Sequence, residues 1–476
     1  MKKYFYITTT LPYINDQPHI GFAMEIVRTD AIARFYRLLD YEVFFNTGTD
    51  EHGQKIYQKA TQLGLDPQKF TDQNVKAFKN LKKALNLSYT HFIRTTDKNH
   101  IVAAQKFWQL CQKNGDIYKA KYKIKYCVGC ELEKTDSELV NNRCPIHPNR
   151  QIQIIEEENY FFRFSRYQKK LLEFYEKNPH FILPEFRQEE LIKFVKKGLK
   201  DFSISRLKKK MPWGIEVPDD PNQVMYVWFD ALINYISTLG WPHDLKKFSQ
   251  FWPGVQIAGK DNLRQQGAMW QAMLLSANLP LSKKIYIEGF ITVNGQKISK
   301  SLGNVINPYN LVKQYGTEAV RYYLLREIPP FADGDFSQQR IREIYNSELA
   351  NELGNLVSRI TRIAEEDNLS INPIKKEDLK REIIELKKLI DQFLFNEAIF
   401  FIFKKIKKLN SKIDQETPWK KTKKERKAFL LLALKELQII VFLLFPFLPE
   451  TSEKISQGLL GKVKKIPPLF PRLKNE

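Results

Sequence analysis

Two stretches far apart in the chain carry side chains suited to a polyphosphate. The first is His19-Ile20-Gly21-Phe22, which follows the apolar run Tyr4–Thr10 and a turn containing Pro12 and Pro18. An imidazole there can donate to a phosphate oxygen, and Gly21 lets a flat ligand come close to the backbone. If a helix starts at this point, its unpaired N–H groups and positive dipole end face an anion. No Gly-x-Gly-x-x-Gly turn is present, so a dinucleotide site is not supported. The second stretch is Lys297-Ile298-Ser299-Lys300-Ser301-Leu302-Gly303-Asn304, placed directly after the Asn294-Gly295 turn. Two lysines on a small-residue loop held by a hairpin suit a mobile clamp on phosphates. An ordinary solvated basic loop would have the same composition.

A third constellation points to a metal. Cys127-Val128-Gly129-Cys130 and Cys144-Pro145-Ile146-His147 are two knuckles, each with two residues between potential ligands. Three thiolates and a neutral imidazole would close a tetrahedral zinc site, which makes the metal structural. Free thiols in a reducing compartment are the alternative. Cys111, beside Trp108 and Leu110 on a helical pattern, reads as a small core residue.

The elements that must position these groups alternate between strand and helix. Tyr4–Thr10 is aromatic and β-branched, as in a buried strand, and His19–Leu39 has helical spacing. Glu42–Thr47 is a second strand, ending in the polar stretch Gly48–Gly53, and helical patterns follow at Gln54–Leu63, Gln68–Leu85 and Asn99–Lys113. A strand feeding a helix through a tight turn is half of a doubly wound sheet, whose ligands bind where the strands end. After Asp116 short alternating strands take over, Ile152–Phe164 among them, and Tyr167–Lys200 reads as helical and basic. Alternation then resumes: a strand Val224–Phe229 with Asp230 as helix N-cap, a strand Val255–Gly259, a helix from Lys260 through Ser276, and a strand Ile285–Phe290. Beyond Pro329-Pro330 only helical patterns are read, over 337–366, 376–394, 396–410, 420–445 and 449–460, and Gly354 inside the first suggests close packing.

Composition sets the outer bounds. Lys+Arg 76 against Asp+Glu 54 gives a formal charge of +22, which favours a polyanionic partner without establishing one. Met1-Lys2-Lys3 runs straight into a strand, so no signal peptide is read. The greasiest segment, Phe429–Leu448, carries Lys435 and Glu436 and is expected to pack rather than span a membrane. A cytoplasmic protein is expected.

Taken together, His19–Phe22 and Lys297–Ser301 resemble the HIGH and KMSKS signatures of class I aminoacyl-tRNA synthetases. Further stretches narrow the resemblance to the methionyl-tRNA synthetases over nearly the whole chain: Thr10–Asn15, Gly48–Gly53, the Cys127–His147 knuckle, Val227–Ala231, Gly259–Asp261, Asn351/Asn355/Arg359 and Pro418-Trp419. The resemblance implies an α/β fold, with a Rossmann-like parallel-sheet catalytic domain split by a zinc-binding insertion and followed by an all-α helical bundle that binds the anticodon. The expected boundaries are 1–115, 116–222, 223–335 and 336–476.

It also implies ATP-dependent activation of L-methionine and transfer to tRNA(Met), the initiator included. His19, Lys297 and Lys300 would be catalytic, with Gly21, Ser299 and Ser301 joining them around ATP and Mg²⁺. The methionine slot would comprise Leu11, Tyr13, Asp50, Trp228, Ala231, Tyr235 and Gln266, with Asp50 pairing to the α-ammonium. The anticodon would meet Asn351, Asn355, Arg359 and Trp419, and zinc would sit on Cys127, Cys130, Cys144 and His147. A spacing of four places the first three anticodon residues on one helix face. Three positions depart from the family pattern: Phe22 for the second His, Asn262 for Ile, and Gln266 for a His near the sulfur. A monomer is expected. The rival readings are a sister enzyme of other amino-acid specificity and an inactive tRNA-binding protein.

Overall fold

Six strands form one sheet, in the order His91–Arg94, Tyr41–Thr49, Lys3–Thr8, Val255–Gly259, Lys284–Glu288 and Ile182–Leu183. The computed structural model describes residues 2–130, 132–134, 138–298 and 303–473. Ser299, Lys300 and Ser301 lie outside them. The pairs Lys3–Thr8 with Val255–Gly259, Tyr41–Thr49 with His91–Arg94, and Lys284–Glu288 with Ile182–Leu183 are parallel. Strand order reverses beside Lys3–Thr8, and in a parallel sheet that is where a ligand crevice opens, at the carboxyl ends. Close strand approach has a local cause at Gly48, where a Cβ would stand 1.8 Å from the Ile93 carbonyl oxygen.

The chain separates into two compact units. One comprises Met1–Pro18, Glu42–Asn80 and Tyr89–Ile287; the other comprises His19–Tyr41, Leu81–Ser88 and Glu288–Glu476. The core of the first unit is aromatic. Phe107 stacks on Trp270 with centroids 5.8 Å apart, and Trp108 meets Phe229 edge-on at 5.3 Å. This unit also carries an antiparallel sheet in the order Leu132–Lys134, Ile117–Cys127, Gln153–Phe162 and Phe202–Ser203. Its long hairpin is paired from Ile117↔Phe162 to Tyr126↔Gln153, so it delivers Cys127 at a fixed strand end.

Helix Ile20–Leu38 in the second unit is buried along most of its length, charged residues included. Arg28 donates to Glu288 at 3.1 Å and to the carbonyls of Ile328 and Pro329 at 2.8 and 3.1 Å. The hairpin ahead of the lysine loop pairs Thr292 with Lys297, and its turn uses Asn294 at φ 53° and Gly295 at φ 70°, as an Asn-Gly turn requires. Helices then dominate from Gln338 onward, with Ser337 capping the first. They include Phe395–Glu416 and Lys423–Leu444, the latter closed by a Thr422/Glu425 capping box. No helix among the described residues is long and apolar enough to cross a membrane.

Four local expectations are corrected. Val227–Ala231 is helical, and the strand is Asp220–Met225. Tyr167–Lys200 is divided into helices Gln168–Lys177 and Glu185–Lys196 by Ile182–Leu183, which pairs at the sheet edge. Lys260–Ser276 is a 3-10 turn, a π segment Gln265–Met269 and a helix Trp270–Ser276. Among the terminal helices, Ser370–Ile371 pairs with Gly461–Lys462. At Ile182–Leu183 and Ser370–Ile371 a strand partner distant in sequence decides the backbone state, which local spacing cannot report.

Candidate active site and metal centre

Of the residues expected to hold an amino acid, Leu11, Tyr13, Asp50 and Gln266 follow the carboxyl ends of strands in the six-stranded sheet, whereas Trp228, Ala231 and Tyr235 follow Asp220–Met225, a strand of a separate antiparallel sheet. Tyr13 and Asp50 are joined by a parallel bridge, and the Asp50 amide donates to the Pro12 carbonyl at 3.0 Å. Asp50 is only 4% exposed. Its neighbour Glu51 is fixed by a web: Thr49 and Thr96 hydroxyls each donate at 2.6 Å, and Arg94 grips both carboxylate oxygens at 2.7 Å. Such a bidentate, charge-assisted clamp makes the strand end rigid. Trp228 and Tyr13, both half-buried, pack against Tyr126, Val128, Tyr226 and Val227, so the cysteine knuckle shares a cluster with the slot wall. Ala231 and Tyr235 are buried. The Tyr235 carbonyl accepts from Tyr6 Oη at 2.8 Å, and its ring meets Trp270 edge-on at 5.9 Å. Leu11 is half-buried.

Asp230 is no N-cap. It lies inside the helix Val227–Ala231, is fully buried, and accepts from His52 Nδ1 and His100 Nε2, each at 2.7 Å. Burial pushes this carboxyl up, but the attraction and hydrogen bonds of the two imidazoles outweigh it, leaving the group below the usual carboxylate range. Sequence reasoning missed His52 and His100 because nothing local connects either of them to Asp230. The polar density of Gly48–Gly53 was the only hint.

Gln266 is buried in the π segment and its Oε1 accepts from Gln256 Nε2 at 3.4 Å. π segments of this kind often mark functional sites. Asn262 turns its amide back to Asp261.

At the phosphate-type signature, His19 caps helix Ile20–Leu38, and its Nδ1 accepts from the Gly21 amide at 3.1 Å. A neutral ring so used carries its proton on Nε2. The expectation of open N–H groups at this helix start is corrected for its first two: Ile20 N donates to the Ile306 carbonyl at 3.0 Å and Gly21 N to the His19 ring, while Ala23 N makes the ordinary first bond of the helix to the His19 carbonyl. Phe22 is 7% exposed and belongs to the core. Lys297 falls in the same unit as His19, at the end of the hairpin.

The Cys127, Cys130, Cys144 and His147 ligand atoms all lie within 4.8 Å of one another. Cys130 Sγ stands 3.4 Å from Cys144 Sγ and 3.3 Å from His147 Nδ1, and Cys127 Sγ stands 3.9 Å from the same nitrogen. Tetrahedral coordination with ordinary Zn–S and Zn–N bonds spaces ligands by roughly 3.5–3.8 Å. Gly129 completes the cradle, because a Cβ there would meet the His147 ring at 2.4 Å. The four residues therefore fit one metal ion.

In the second unit, Arg359 pairs with Asp414 at 2.6 Å and lies 5.4 Å from the centre of the Trp419 ring, which is 49% exposed. Asn355 is exposed at the start of helix Asn355–Glu366. Asn351 sits in the π segment Tyr345–Gly354 and accepts from Arg472. Asn351 is exposed, as Asn355 is.

A cavity of about 700 Å³ adjoins the slot wall in the first unit, lined by Tyr126, Val128, Arg150, Arg206, Lys210 and Tyr226 among others. The Arg206 guanidinium lies 4.4 Å from the Tyr226 ring centre and 5.3 Å from that of Tyr126.

Comparison with known proteins gives one answer. The family model described as tRNA synthetases class I (M) matches residues 5–151 and 130–361. The chain is 42% identical to the methionine--tRNA ligase of Caldanaerobacter subterraneus subsp. tengcongensis, over 96% of this chain and 74% of that one. It is also 42% identical to the Nostoc sp. enzyme of that name, covering 96% and 90%. Among solved structures, Mycobacterium tuberculosis methionyl-tRNA synthetase in complex with methionyl-adenylate superposes with a TM-score of 0.91 at 36% identity, covering 99% of this chain and 100% of the other.

Proposed function

The chain belongs to the methionyl-tRNA synthetases, class I enzymes with methionine--tRNA ligase activity, and on that premise we propose how its residues divide the work. The amino acid is activated at the expense of ATP and then passed to tRNA(Met), the initiator included. Asp50 takes the α-ammonium, while Leu11, Tyr13, Trp228, Ala231 and Tyr235 enclose the thioether, a flexible and polarisable group suited to aromatic walls. With the Gln266 oxygen engaged by Gln256, its amide N–H groups are what it can offer the sulfur. The observation that carries this reading is the Tyr13–Asp50 bridge, which sets a buried carboxylate beside the aromatic cluster of Trp228.

Methionine's carboxylate attacks the α-phosphate in line and pyrophosphate leaves. The nucleophile arrives ionised, so no general base is needed, and rate comes from positioning and charge stabilisation. His19 donates through Nε2 to a phosphate oxygen, Gly21 accommodates the adenine, Lys297 and Lys300 neutralise the leaving group, and Ser299 and Ser301 join them in binding ATP. Mg²⁺ arriving with ATP supplies further positive charge. The cavity beside the slot, with its Arg206–Tyr226 stack and the basic Arg150 and Lys210, suits the terminal adenosine of the tRNA. ATP–pyrophosphate exchange with each of the twenty amino acids tests the assignment. Methionine should be the one that drives it, and a faster rate with another amino acid would overturn the reading.

Asn351, Asn355, Arg359 and Trp419 form the anticodon surface, with Trp419 stacking on an unpaired base. A base–aromatic stack is worth about 1–3 kcal/mol, so Trp419→Ala should reduce tRNA charging about tenfold and leave exchange unchanged. Equal loss of both activities would remove Trp419 from this role.

The soft Cys₃His donor set selects zinc, held structurally because all four positions are closed. Elemental analysis of the purified protein should find about one Zn²⁺ per chain, and Cys144→Ala should abolish it. Undiminished zinc in that variant would place the metal elsewhere.

A further inference from the structure

The hydrogen-bonded chain His52–Asp230–His100–Ser237 is not accounted for by any role assigned above. It is buried, with side-chain exposures of 6% for His52 and 0% for Asp230 and His100. Among the described residues no lysine or arginine pairs with Asp230, so its two partners are both imidazoles. A carboxylate only accepts, so His52 must carry a proton on Nδ1 and His100 on Nε2. His100 Nδ1 then faces Ser237 Oγ at 2.9 Å, where the hydroxyl can donate to it. The two imidazole rings thus each have a defined orientation.

Its placement connects the two sides of the amino-acid slot. His52 follows Asp50 by two residues on the same strand-end segment, and Asp230 stands between Trp228 and Ala231 on a helix of five residues. So short a helix is not self-supporting and takes its place from tertiary contacts. His100 enters from the separate helix Lys98–Lys113, and Ser237 ends the helix Asn234–Ser237 that carries Tyr235. The Asp230 carboxylate is therefore the joint between the ammonium side and the aromatic side of the slot.

We infer that Asp230, gripped by His52 and His100, is a positioning residue that fixes the spacing between Asp50 and the Trp228–Ala231 wall and so sets the affinity for methionine. This rests on the functional reading above and adds residues to it. Geometric errors of this kind cost about 10- to 100-fold, so Asp230→Asn should raise the methionine KM in exchange by that factor with the ATP KM unchanged.

The attachment points give a sharper test. An asparagine amide nitrogen occupies the place of imidazole Nδ1, and a glutamine nitrogen that of Nε2. His52→Asn should therefore retain a lower methionine KM than His52→Gln, whereas His100→Gln should outperform His100→Asn. A uniform loss in all four variants, a reversed order, or parallel rises in the ATP and methionine KM values would overturn the inference and leave only a structural role. If Asp230→Asn fails to fold, the four histidine variants still decide the matter. The parent protein's own methionine-dependent exchange, measured in the same assay, reports separately on the underlying functional reading.

Discussion

Asp50→Asn is expected to lower kcat/KM for methionine in ATP–pyrophosphate exchange by about 100- to 1000-fold. The expectation follows from burial. Asp50 is 4% exposed, so an ammonium brought against it has left water and depends on the carboxylate for compensation. Removing one partner of a buried charge pair costs about 2–5 kcal/mol, and about 3–4 kcal/mol corresponds to the stated range. The isosteric amide is the informative variant because the backbone bond from Asp50 to the Pro12 carbonyl and the bridge to Tyr13 do not depend on the side-chain charge. The loss should therefore occur without a fall in thermal stability. A variant with kcat/KM within about threefold of the parent would show that the ammonium is bound elsewhere.

The second large effect concerns stability. Arg321 and Asp30 are both fully buried and pair at 2.9 Å through Asp30 Oδ2, which Arg34 shares at 2.8 Å, while the Ser88 hydroxyl donates to Oδ1 at 2.6 Å. Arg321 also donates to the carbonyls of Leu85, Pro446 and Phe447 at 3.0, 3.2 and 3.1 Å. Arg321→Met leaves those oxygens unpaired and strips the carboxylate of a counter-charge, which should destabilise by about 3–5 kcal/mol in chemical denaturation. A loss under about 1 kcal/mol would mean that the pair is dispensable.

The pH dependence has a definite sign. Burial pushes the Asp30 carboxyl up, but Arg321 first and Arg34 next pull it further down, and the net displacement is below its ordinary value. A depressed carboxylate stabilises the folded state above the unfolded pKa, about 4, and that contribution is lost as pH falls through the folded value. With Arg321 removed the folded value rises, so the variant should lose stability on acidification at a higher pH than the parent does.

The sequence by itself determined the chemistry on offer and the backbone that carries it. The strand–turn–helix at His19, the Asn294-Gly295 hairpin and the paired knuckles at Cys127 and Cys144 are local patterns: hydrophobic period, turn residues and ligand spacing act over a few positions, so they can be read without a fold. The family resemblance rests on such patches. Tertiary structure decided what local spacing cannot express. It turned Val227–Ala231 from strand to helix and made Asp230 an acceptor for two histidines, because a buried carboxylate must find donors wherever the fold brings them. It filled the helix start at His19 with protein partners, and it bent the Asn351 segment into a π turn. Those outcomes depend on contacts between residues remote in the chain, whose energies are settled only once packing has excluded water.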